Sequence, residues 1–357
     1  MLSYADIWAI VNRWGIELRV TRLRNLTLLV HGILHSRSSC LSAIVRHWSF
    51  GPTRHIHRLK RLHRFLKNPA MKVAPLFRPL AAIVWPYRPG GQRTSLVPIA
   101  LDWTKVRSFN VLWAAVPRNQ RALPLAFGVY HAKRLRHSQN KLERGLITLA
   151  ASLLPRSFTP LILADAGFGQ TELLRWLQQR QFAFVIRLRP NTLVHYRGRT
   201  RPLGDFDTIE GAPILLSNVE YRGKHPVVIN IVVSRLGDSL WYLGTTFTSA
   251  RQAVACYRKR FWIEEMFRDF KSTLGLRKAR VKDENRLARL LLGLQIAYLI
   301  LFIVGVKVPQ RWQTYLASRD RLSVVWFALE ALKLVTLPRH QKVWKRRVWP
   351  ALMLQTG

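Results

Sequence analysis

Short apolar runs, each closed by a polar or turn-forming residue, dominate residues 95–188. Ser95–Leu101 (SLVPIAL), Phe109–Val116, Ala122–Tyr130, Pro160–Ala164 (PLILA) and Phe182–Leu188 have the length and content of strands. Pro117-Arg118-Asn119-Gln120 reads as the turn of a hairpin between the second and third. Ser138–Leu154 and Thr171–Arg180 carry apolar residues at helical period. Three strands, a helix, a strand, a helix and a strand predict a mixed α/β layer architecture. Residues 191–247 change to shorter alternating runs, at Thr192–Tyr196, Pro213–Tyr221, Val227–Ser234 and Leu240–Thr246, which predict a β-rich insertion. A long helix follows from Ser249, with Gln252 completing a capping box, to Thr273, and Gly275 stops it.

The flanking regions differ. Tyr4–Arg22 and Ser39–Leu66 show helical spacing interrupted by Arg and His, and Gly51-Pro52 divides the second stretch. Pro86–Gly91 (PYRPGG) reads as a linker. Leu290–Val306 is apolar except for Gln295, at the lower edge of a membrane-spanning length. Gln295 and two glycines within it favour a helix buried on all sides over a membrane span. Four parts result: a helical basic region (1–90), a discontinuous α/β domain (91–190 and 248–310), the β-rich insertion (191–247) and a basic, tryptophan-bearing C-terminal region (311–357).

Charge narrows the function. The 357 residues include 58 Lys and Arg against 18 Asp and Glu, a formal net charge of +40. Such an excess marks a polyanion binder, above all of nucleic acid, and the 49% hydrophobic content excludes a disordered basic tail. Two cysteines, Cys40 and Cys256, exclude a disulfide framework or a four-cysteine zinc site. In residues 54–64 every position except Ile56, Leu59 and Leu62 is Arg, Lys or His. That segment is either a helix with one thin buried stripe and a solvated face, or one that tracks phosphates.

In so basic a chain the few acids carry information. Asp102 and Asp165 each directly follow an apolar strand run, so adjacent strands would bring both to one sheet edge. A turn or cap role is the alternative for either alone. On the long helix, Tyr257, Arg260, Glu264 and Lys271 share one face within roughly 60° at about 100° per residue. A stripe with a phenol, a guanidinium, a carboxylate and an ammonium is either a solvated face or a site. Glu265 and Asp269 fall off that stripe.

The string YRKRFWIEEMFRDFK resembles the Y-(2)-R-(3)-E-(6)-K signature of DDE transposases of bacterial insertion sequences, in the family-4 group that includes the transposon-five transposase. Tyr257, Arg260, Glu264 and Lys271 fill its four positions, and the segments LDWTKV at Asp102 and LADAGFG at Asp165 are similar to the family's two aspartate regions. The resemblance covers about residues 95–276. It implies a ribonuclease-H-like mixed sheet with a β-rich insertion and a helical N-terminal DNA-binding region. It further implies cut-and-paste transposition, with Asp102, Asp165 and Glu264 holding two Mg²⁺ (or Mn²⁺) ions and Asp102 bridging them. Tyr257, Arg260 and Lys271 would contact DNA phosphates. Trp241, in the insertion, would stack on an extruded base, or else be a core residue. The implied partners are double-stranded terminal inverted repeats and target DNA, bound by a dimer in the bacterial cytoplasm at the nucleoid, with no membrane role. Leu322–Leu334 is a candidate dimer helix. A catalytically inactive DNA-binding relative is the alternative.

Overall fold

The computed structural model describes residues 1–48, 53–87, 96–135, 138–221, 226–309, 323–334 and 338–353. The break at Gly51-Pro52 and most of the linker at 86–91 lie outside them. Among the described residues there are ten strands: β1 (Leu96–Val106), β2 (Phe109–Arg118), β3 (Arg121–His131), β4 (Thr159–Ala164), β5 (Ala183–Arg187), β6 (Leu193–Tyr196), β7 (Arg199–Pro202), β8 (Ile214–Tyr221), β9 (Val227–Leu236) and β10 (Ser239–Thr245). They form one sheet in the order β3-β2-β1-β4-β5-β10-β9-β8-β6-β7.

The first five strands follow the reading of the sequence. β1, β2 and β3 form an antiparallel meander, and β4 and β5 run parallel to β1. A parallel neighbour needs a crossover, and the helices at Gln139–Ser152 and Thr171–Gln179 supply the two. This mixed sheet fits a ribonuclease-H-like fold. The insertion is not a separate sheet, because its last strand, β10, pairs antiparallel with β5 and carries β9, β8, β6 and β7 outward as an extension.

Side-chain alternation divides the sheet's two faces. Leu161, Leu163, Val185, Val232, Trp241 and Leu243 meet Ala253 and Tyr257 in a small cluster of their own. Their neighbours Ile162, Ala164, Phe184, Ile186 and Val233 belong to the main core.

Among the described residues five α-helices precede the sheet: α1 (Tyr4–Arg13), α2 (Val20–Ser36), α3 (Leu41–Arg46), α4 (His55–Lys67) and α5 (Phe77–Val84). The sequence pattern missed most of α2. Its residues from Leu23 to Leu34 are buried except Arg24 and Asn25, Thr27 and His31 included, so it has no clean polar face to generate a periodic signal. On α4, of the stripe read from sequence, Leu62 is buried and Leu59 half-buried, but Ile56 is exposed. Phe65 and Leu66 complete the buried side.

The apolar run is the centre of a helix over Glu284–Lys307, buried continuously from Leu290 to Val304. By length and composition it could cross a membrane, yet 94% of its most apolar window is buried inside the protein. Gln295 has a defined role there. A register shift between β2 and β3 leaves Leu125 unpaired, and the Gln295 amide donates to the carbonyls of Pro124 (2.9 Å) and Leu125 (3.4 Å) at that bulge. The helix also reaches the N-terminal region: Arg289 donates to the carbonyls of Leu66 (2.6 Å) and Met71 (2.9 Å), and a Cβ at Gly293 would lie 2.6 Å from Leu29. Val324–Leu334 is helical too, but it buries Val325, Phe327, Ala328, Leu329, Ala331 and Leu332 within the chain, so its apolar side is not left free for a second copy. Leu322 lies outside the described residues.

Candidate active site

Register places the two aspartates side by side. The β1–β4 ladder ends at Ala100 paired with Leu163, so continuing the register two rungs sets Asp102 level with Asp165. Both share the parity of Ala100 and Leu163 and therefore face the side of the sheet where Ala253 and Tyr257 pack. Asp102 does not end its strand, as the sequence suggested. β1 continues to Val106, and Asp102 remains paired with Trp113 of β2. What ends near Asp102 is the contact with β4, and the carboxylate stands in the opening that results. Asp165 caps a short helical turn, accepting from the Gly167 N–H at 2.9 Å.

The helix expected over 249–273 is interrupted twice. An α-helix at Ala250–Arg258 tightens into a 3₁₀ turn at Lys259–Phe261, resumes at Trp262–Arg268 and widens into a π-turn at Asp269–Thr273. Each interruption changes the rotation per residue, so the shared face calculated for a straight helix is only approximate. Arg260 sits in the tight turn, 6% exposed. Its guanidinium lies between all three acids: Nη1 is 2.7 Å from Glu264 Oε1, and Nη2 is 2.9 Å from Asp102 Oδ2 and 3.8 Å from Asp165 Oδ2. The convergence of Asp102, Asp165 and Glu264 is present, and an arginine fills its centre.

Electrostatics follow from this packing. Burial pushes the Asp102 carboxyl up to about 6, against the pull of Arg260 and with the help of Asp165 and Glu264. Burial alone would lower the Arg260 guanidinium, but Asp102, Tyr257, Glu264 and Asp165 together raise it. Burial raises the Tyr257 phenol to about 12, opposed by Arg260 and Arg187. Burial also lowers Lys271, Arg277 adds to that, and Asp102 opposes it, which sets this ammonium within electrostatic reach of the site.

Trp241 is only 5% exposed. Its ring lies 5.6 Å from that of Phe261, stacked, and 5.2 Å from Tyr257, edge-on. As placed, it is a core residue beneath the signature helix, with no face open for an extruded base. Arg187 is a residue that the sequence reading passed over. Continuing the β4–β5 register from Ala164 and Ile186 sets it beside Asp165 on the same face. The signal was available, because Arg187 closes the third parallel strand as Asp165 follows the second.

Three carboxylates around one buried cation form a set of hard oxygen donors whose chemistry fits Mg²⁺ or Mn²⁺. Among the described residues, however, no group of three such side chains stands close enough to hold an ion as arranged, because the guanidinium occupies the interior.

The chain matches the family described as transposase DDE domain over residues 122–300, half of the chain. The matched segment contains Asp165, Tyr257, Arg260, Glu264 and Lys271, and begins after Asp102. No curated protein matches the chain.

Proposed function

Since the chain belongs to the transposase DDE domain family, we propose that it is a cut-and-paste transposase of an insertion sequence, of the group with the Y-(2)-R-(3)-E-(6)-K signature, cleaving transposon ends and joining them to target DNA. The observation that carries this reading is the convergence of Asp102, Asp165 and Glu264 on one point at the edge of the mixed sheet. An inactive relative would not be expected to keep all three acids there.

The three carboxylates are the ligands for the divalent ions, which when bound supply an activated water and stabilise the leaving oxygen. The chain's own cations bind and orient the DNA. Arg260 offers a planar fork suited to a phosphate, Arg187 stands beside it on the same rim, and Lys271 adds a point charge. Tyr257, fully buried against Trp241 and Phe261, supports the turn that carries Arg260 rather than facing a phosphate. Trp241 and Phe261 wall the turn that holds Arg260. The N-terminal helices and the basic C-terminal region contribute duplex affinity that falls as salt rises. The active species is a dimer bound to both ends, in the bacterial cytoplasm at the nucleoid.

The test is cleavage of a duplex that carries the inverted repeats flanking the reading frame, with and without Mg²⁺ or Mn²⁺. Metal-dependent nicking at the repeat boundary, lost in Glu264→Ala with end binding retained, supports the proposal. Normal cleavage by Glu264→Ala overturns the assignment.

A further inference from the structure

We propose that Arg260 is an internal counterion that keeps the three carboxylates closed until a DNA phosphate draws its guanidinium away, so that divalent-ion binding and DNA binding at this site are coupled. The inference rests on the reading of Asp102, Asp165 and Glu264 as one metal-holding set.

The geometry shows a single cation satisfying three anions. Nη1 serves Glu264, and Nη2 serves Asp102 and lies near Asp165. Among the described residues no other cation pairs with any of these three carboxylates. Held this way, the guanidinium takes the space that an ion bound by the same oxygens would need, and the two cations exclude each other. The arrangement is also incomplete. The Arg260 Nε–H is buried and has no hydrogen-bond partner, a cost that the carboxylates leave unrelieved. A phosphate can relieve it, because a guanidinium presents Nε and Nη to two oxygens in one plane. The 3₁₀ turn at Lys259–Phe261 places Arg260 at the rim of the sheet, on a long side chain able to leave the acids without unfolding the helices on either side. DNA therefore removes the competitor and the acids become available. By reciprocity, ions on the acids free Arg260 for DNA. A protein built this way does not assemble a loaded nuclease site before it meets its substrate.

The experiment measures Mn²⁺ affinity by paramagnetic resonance of the free ion, at a pH well above the carboxylate range, with and without a short duplex. The chains are wild type, Arg260→Gln, Arg260→Lys and Arg260→Gln/Asp102→Asn. Without DNA, Arg260→Gln binds Mn²⁺ at least about tenfold more tightly than wild type. Arg260→Lys gains less, and the added Asp102→Asn abolishes the gain. The duplex tightens Mn²⁺ binding by wild type and leaves Arg260→Gln unchanged. Equal or weaker Mn²⁺ affinity in both single variants overturns the proposal, as does a duplex that tightens wild type and Arg260→Gln alike. Circular dichroism confirms that each variant is folded. The two readings fail separately: wild type that cleaves DNA beside an Arg260→Gln that gains no Mn²⁺ affinity removes only the counterion role. The predicted gain in a protein that cleaves no DNA removes only the transposase reading.

Discussion

Two helical stretches of similar length behave in opposite ways. Glu284–Lys307 is an unbroken α-helix, buried from Leu290 to Val304. Ala250–Thr273 changes geometry at Lys259 and again at Asp269. The first packs mainly on apolar neighbours; its Gln295 amide and Arg289 guanidinium donate to carbonyls outside it, at the bulge and at Leu66 and Met71, while Tyr298 Oη stays buried without a hydrogen-bond partner. The second must bury Tyr257 and Ile263 while turning Arg260 and Glu264 to a polar rim, and one period does not serve both. Regularity belongs to the helix that only packs. The interruptions fall at Arg260 and Lys271.

If that contrast is right, substitutions in the two stretches should separate activity from stability. The largest effect is expected at Glu264→Ala, where single-turnover cleavage should fall by at least ~1000-fold while thermal unfolding barely moves. A comparable loss of melting temperature would assign Glu264 to the scaffold instead. In the regular helix the reverse is expected. Phe302 is fully buried, and Phe302→Ala should cost about 3–5 kcal/mol in denaturant unfolding. Next comes Gly275, at φ +63°, where an added Cβ would lie 2.9 Å from Ser38 Cα. Gly275→Ala should cost about 1–3 kcal/mol and loosen the joint in which Ser39 Oγ donates to the Leu274 carbonyl. Faster hydrogen exchange at both 38–40 and 274–278 would show this, and unchanged exchange would contradict it. The smallest effect belongs to Lys271→Ala, on the π-turn. Cleavage should drop roughly tenfold, as for a lost phosphate contact of about 1.4 kcal/mol, with stability unaltered.

The same contrast explains what could be read in advance. The strands at 96–106, 109–118, 121–131, 159–164 and 183–187 each bury enough apolar side chains to leave a run in the sequence, and the insertion's alternation survived because one of its faces is solvated. The helix at 20–36 was missed because burial on nearly all sides admitted Thr27 and His31 and erased the stripe. Asp102 was placed at a strand end because Trp103–Val106 no longer looks apolar, although β2 still pairs with it. The acids and the arginine were legible as residue types at a spacing. Their mutual arrangement was not, because the 3₁₀ turn at Lys259–Phe261, which packs against Trp241 of the preceding strand, leaves no periodic signal in the sequence. Trp241 illustrates the remaining ambiguity: an aromatic residue in a suggestive place has the same letter whether it stacks on a ligand or on a phenylalanine.

The sheet order has a consequence for the newborn chain. β5 ends at Arg187, but the neighbour that covers its outer side is β10, which begins at Ser239. Until the ribosome has delivered those strands, the protein exposes an uncovered edge beside Asp165 and Arg187, the kind of edge that recruits other chains. The strand that seals it leads, through Thr246–Ser249, into the helix that brings Arg260 and Glu264. Closing the sheet and delivering the last acid are consecutive events in synthesis, so a chain interrupted before them has two aspartates and an open edge, and lacks both Arg260 and Glu264.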